Sequence, residues 1–83
     1  MKNLINETVK VGAVFESGSS VKPVWFIWQG RLHRIREITY RWKSRRGQSV
    51  IRHFAVTDQS DLYELKFDTC ACVWRLGYVE MEG

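Results

Sequence analysis

Five clusters of turn-forming residues divide this chain at short intervals: Ser17-Gly18-Ser19-Ser20, Gln29-Gly30, Ser44-Arg45-Arg46-Gly47-Gln48, Asp58-Gln59-Ser60-Asp61 and Asp68-Thr69-Cys70-Ala71. The runs between them are rich in Val, Ile, Phe, Tyr and Trp, side chains that suit a pleated, half-buried surface. Such spacing leaves little room for helices. It predicts an all-β fold, a curled antiparallel meander of five or six strands closing into an SH3-like partial barrel or a roll.

Registers test the meander, because a slip of one residue turns every side chain to the other face. A four-residue loop at Asp58–Asp61 sets Val56 opposite Tyr63, Phe54 opposite Leu65 and Arg52 opposite Phe67. A four-residue loop at Asp68–Ala71 sets Phe67 opposite Cys72, Leu65 opposite Trp74 and Tyr63 opposite Leu76, with Glu64 facing Arg75 on the other side. A five-residue loop at Ser44–Gln48 sets Trp42 opposite Val50, Tyr40 opposite Arg52 and Ile38 opposite Phe54. All three turns bring apolar residues to one sheet face. Gln29-Gly30 makes a two-residue hairpin with Trp28 opposite Arg31, Phe26 opposite His33 and Val24 opposite Ile35, Gly supplying the positive φ such turns need. Parity then breaks between Ile35 and Ile38, which calls for a bulge or bend near Arg36-Glu37. Val9, Val11, Ala13 and Phe15 alternate as a first strand, and Pro23 suits the start of another. Trp28, Trp42 and Trp74 read as core anchors.

The rival is a basic amphipathic helix over 31–43, since Leu32, Ile35, Ile38 and Trp42 fall near helical spacing. Its Ile, Thr, Tyr and Trp content weighs against it, because these side chains lose χ1 freedom in a helix.

At 83 residues, with 45% hydrophobic and 27% charged residues, the chain makes one small globular domain. Residues 1–7 are expected to be a loosely ordered lead-in. They show no apolar core of a signal peptide, and no apolar run is long enough to cross a bilayer. The expected setting is cytoplasmic, with no membrane association. Asn6-Glu7-Thr8 matches a glycosylation acceptor, which without a leader reads as chance.

Charge is lopsided. Segment 31–53 holds eight Lys or Arg against Glu37 alone, a net +7, while five bases and eight acids elsewhere net −3, for the chain's +4. The plain reading is a solvated stripe. The functional one is a field that draws an anionic partner, nucleic acid first among them. The residues expected to carry that contact are Trp25, Arg34, Arg36, Arg41, Lys43, Arg45 and Arg46, with Trp25 either a base-stacking platform or a cation–π partner of Arg34. The alternative partner is a protein docking on an apolar patch of Trp25, Ile27 and Leu32, on the strand face opposite Phe26 and Trp28.

Catalytic and metal chemistry find less support. Cys70 and Cys72 form no secreted disulfide framework. A zinc site from His33, His53, Cys70 and Cys72 lacks the usual ligand spacing, and Cys72 is expected to point into the core. His33 and His53 fall on different strands, His53 outward opposite Thr39. No acid, base and oxyanion donor converge in this register. The expectation is a non-enzymatic module with no cofactor and no metal.

The run Pro23-x-x-Phe26-x-Trp28-x-Gly30, then Ile35 and Trp42, then Phe54-x-Val56, Tyr63-x-Leu65-x-x-Asp68 and Trp74-x-Leu76, resembles a small bacterial domain of unknown function. The likeness covers about residues 9–78, by the strands read here. His33 stands where the family pattern more often shows Tyr. That family occurs as short stand-alone proteins and at the C-terminus of Y-family-like subunits of error-prone DNA synthesis machinery. The resemblance implies a nucleic-acid-processing neighbourhood and supplies no catalytic residues.

Overall fold

The computed structural model describes residues 2–16 and 20–81, and these are all-β. In chain order the strands are β1 (Lys2–Thr8), β2 (Lys10–Phe15), β3 (Val21–Trp28), β4 (Arg31–Arg34), β5 (Glu37–Arg46), β6 (Ser49–Thr57), β7 (Asp61–Asp68) and β8 (Val73–Met81). They form two antiparallel sheets, one in the order β1-β8-β7-β6-β5 and one in the order β2-β3-β4. Residues 31–34 and 37–43 are strand with a bend between them, so the helical rival falls. Among the described residues no helix is long and apolar enough to cross a membrane.

Two corners fold the meander onto itself. At the first, Val9 N–H donates to the Trp74 carbonyl at 3.1 Å as the chain leaves one sheet for the other. At the second, Ile35 N–H donates to Val24 in the small sheet (3.0 Å), and the next residue, Arg36, donates to Thr57 in the large one (2.7 Å). This is the bend that broken parity predicted. Among the described residues the two sheets do not close into a barrel. The described residues form eight strands instead of five or six for two reasons. The bend divides one long strand into β4 and β5, and the segment expected to be loose is β1, pairing with β8 and packing Ile5 on the core.

The core lies between the sheets. Phe26, Pro23 and Val21 of β3 meet Phe54, Val56, Tyr63, Leu65, Phe67, Trp74, Leu76 and Val79 of the large sheet. Trp28 packs against the edge of this cluster.

The β3–β4 hairpin has the expected register, with Gln29 and Gly30 both at positive φ (54° and 73°). The β6–β7 register is also as expected. The other two differ. The β7–β8 turn runs over Thr69–Cys72, one residue further on than expected, which moves every cross-strand partner by two, so Phe67 faces Trp74 and Leu65 faces Leu76. An even shift keeps the same residues inward. Cys72 leaves the core, however: it is exposed in the turn at φ 57°. Glu64 faces Tyr78, and Arg75 faces Lys66. The β5–β6 turn is the tight pair Gly47-Gln48, so Trp42 faces His53 and Arg41 faces Phe54. That shift is odd, and it puts Trp42 on the outer face instead of in the core. A bulge between Ile38 and Tyr40 then returns Ile38 to the core, opposite Val56. The turn expected at 17–20 lies outside the described residues except for Ser20, whose carbonyl accepts from Glu16 N–H at 3.0 Å.

Candidate nucleic-acid interface

The seven residues expected to form one anionic-partner surface fall in four places. Trp25 and Arg34 are cross-strand partners on the outer face of the small sheet. The Trp25 indole lies over Gly12, in space that a Cβ there would occupy. Cation–π contacts among the described residues join Lys2 to Tyr78 and Arg41 to Phe54, not Arg34 to Trp25. Arg36 stands at the corner, where it lines a cleft with Lys22 and Arg41. Arg41, Lys43 and Arg45 alternate along one side of β5, opposite Phe54, Arg52 and Val50. Arg46 is on the other side. The apolar alternative does form a patch: Ile27 faces Leu32 beside Trp25, and Leu32 is 52% exposed.

The outer face of the large sheet brings together residues that the sequence reading left apart. No described element covers it. Tyr40, Trp42, Ser44 and Arg46 alternate along β5, with His53 and Ile51 beside them on β6, Glu64 and Lys66 on β7, and Arg75 and Val73 on β8. Trp42 stacks on His53 with centroids 4.9 Å apart and planes 11° from parallel. Tyr40 lies 5.4 Å from Trp42 and is 66% exposed. The three rings form a ledge. Next to it Ser44, Arg45, Arg46, Lys66 and Arg75 line a cavity of about 240 Å³ floored by His53, Ile51 and Val73. Three cations that belong to this face, Arg46, Lys66 and Arg75, against Asp68 make its field positive. Asp68 is itself engaged: the Ala71 and Cys70 N–H groups, with Ser49 and Arg46, hold its carboxyl below the ordinary range.

His53 is fixed from both sides. Its Nδ1 lies 2.9 Å from Glu64 Oε2, and its Nε2 lies 2.6 Å from Ser44 Oγ. His53 and Glu64 side chains are each 12% exposed. The carboxyl of Glu64 occupies the space above Gly77 that a Cβ would fill. An ionised Glu64 takes Nδ1–H as its donor, which leaves Nε2 to accept from the Ser44 hydroxyl.

The other histidine has a different role. His33 stacks on Phe26 (4.8 Å, 7°) between the sheets, and its Nδ1 lies 3.2 Å from Asp58 Oδ2. Tyr63 donates to the same oxygen at 2.8 Å, while Ser60 and Asp61 N–H donate to Oδ1 at 2.8 and 2.9 Å. Burial pushes the Asp58 carboxyl up, but these four donors outweigh it and hold it at about 2. Burial and the Asp58 charge push the Tyr63 phenol well above its ordinary value. This network pins the small sheet to the β6–β7 turn. Among the described residues no group of three or more His, Cys, Asp or Glu is placed to hold a metal ion.

A five-residue β5–β6 turn keeps Tyr40 and Ser44 off this face, and Lys66 and Arg75 lie outside the basic segment 31–53, so none of the four stands out in the sequence. The signal for the shorter turn was present in Gly47, whose φ of 62° suits a two-residue turn. Compared with protein-family models, curated proteins and solved structures, the chain matches none.

Proposed function

We propose that this protein is a small binding module for single-stranded nucleic acid, and that the strand lies across the open face of the large sheet. The observation that carries this reading is the Tyr40–Trp42–His53 ledge beside a cavity lined by Arg46, Lys66 and Arg75. Aromatic rings next to phosphate-neutralising cations are what an unpaired strand needs, and each stacked base contributes about 1–3 kcal/mol. The basic stripe of Arg41, Lys43 and Arg45 on the reverse of β5 extends the positive field around the hairpin tip.

The test is anisotropy titration of labelled single-stranded and duplex oligonucleotides at low and moderate salt. The single strand binds more tightly, binding weakens with salt, and Trp42→Ala and Arg46→Glu each weaken it. Absence of binding at low salt, or equal binding by Trp42→Ala, rejects the reading.

A second reading rests on the Leu32 patch. There the module docks a protein subunit of a DNA synthesis or repair assembly through Trp25, Ile27 and Leu32, a setting that the resemblance to the polymerase-associated domain also suggests. Leu32→Glu then abolishes capture of that subunit while leaving oligonucleotide binding unchanged.

A further inference from the structure

We infer that Ser44 is an activated nucleophile, oriented with His53 and Glu64 to open esters that carry an anionic group near the scissile bond. Three adjacent strands each supply one member. Ser44 Oγ is 2.6 Å from His53 Nε2, and His53 Nδ1 is 2.9 Å from Glu64 Oε2. These are the contacts that nucleophilic catalysis requires: a hydroxyl within reach of a base, and the base held by a third group. The ends differ in exposure as such chemistry needs. Ser44 faces solvent, whereas His53 and Glu64 are largely covered. The His53 ring cannot swing freely, because Trp42 stacks flat against it. Gly77 leaves the room in which the Glu64 carboxyl sits.

The cavity beside Ser44 sets the substrate class. Arg46, Lys66 and Arg75 line it, and cations there attract an anionic substituent and offset charge developing on a carbonyl oxygen. Ser44 Oγ adds to the carbonyl carbon, and its proton passes to His53 Nε2. The bond to the alcohol oxygen breaks, and the departing alkoxide takes the proton from His53. Water then adds to the acyl-serine and gives a proton to His53. The acid leaves, and Ser44 recovers its proton from Nε2. Glu64 is the positioning residue, and no step depends on nucleic-acid binding.

The probe is mono-(4-nitrophenyl) glutarate, compared with 4-nitrophenyl acetate, on the full chain with Cys70 and Cys72 alkylated beforehand. The wild type releases a burst of about one nitrophenolate per chain and gains one acyl group on the peptide containing Ser44, faster with the anionic ester. Ser44→Ala shows no burst. His53→Ala slows acylation about 100-fold. Glu64→Gln slows it by at least about 10-fold, and Glu64→Asp restores part of the rate, a rescue that a packing role for Glu64 does not produce. A burst that survives Ser44→Ala, or wild-type protein that acquires no label at Ser44, overturns the inference. Both outcomes are independent of oligonucleotide binding, which Trp42→Ala tests separately.

Discussion

Asp58 accepts from two backbone N–H groups of its own turn and from Tyr63, and His33 reaches it from the other sheet. Its folded carboxyl titrates at about 2, below the ordinary 3.8. A carboxylate depressed in this way stabilises the fold at every pH above its unfolded value, and that stability is lost as pH falls through the folded one. The full contribution is therefore present above about pH 4 and drains away between pH 4 and 2. The shift corresponds to on the order of 1–2 kcal/mol after allowance for solvent around a side chain that is not fully enclosed. Asp58→Asn serves as the control in urea unfolding across this range. The wild type is expected to be the more stable above pH 4, and the gap to narrow toward pH 2. A gap that widens on acidification contradicts this account of the turn.

Elements raise a different question, because a strand's two faces are decided by its turns. The registers flanking Gln29-Gly30 and Asp58–Asp61 were legible because each cluster had one economical reading. In the second, Asp58 caps its own turn. At Ser44–Gln48 every residue is polar and turn-compatible, so hydropathy does not say where the strand ends. The tight turn at Gly47 wins by pairing Arg46 with Ser49 and extending the ladder. It also reverses the faces of Trp42 and Arg41, and with them the ledge and the Ser44–His53–Glu64 chain come into being. At Asp68 the error was even, so Trp74 and Leu76 kept their inward side while Cys72 lost its place. Two tryptophans separate the registers experimentally. Trp74, buried against Phe54 and Phe67, is expected to cost about 3–5 kcal/mol when replaced by Ala. Trp42→Ala is expected to cost under about 1.5 kcal/mol, since it loses a surface stack rather than a core contact. Equal losses in urea unfolding contradict the two-residue turn. Gly47→Ala in turn is expected to cost about 1 kcal/mol by forcing a side chain into left-handed backbone.

Across the whole molecule the basic segment 31–53 does not act as one surface, because the corner at Ile35–Arg36 and the alternation of β5 send its cations three ways. Arg34 goes to the small sheet, Arg41, Lys43 and Arg45 to the reverse of the hairpin, and Arg46 to the open face, where Lys66 and Arg75 join it from strands outside the segment. Linear charge counting thus found the field but not its geometry. The distinction is measurable through salt. Each phosphate neutralised on a single strand contributes about −0.7 to the slope of log K against log salt, so about four contacts give a slope near −3. Arg75→Ala, far from 31–53 in sequence, is expected to make that slope shallower by about 0.7, whereas Arg34→Ala leaves it unchanged. If Arg34 carries the slope and Arg75 does not, the strand runs over the small sheet, and the open face of the large one has no part in binding it.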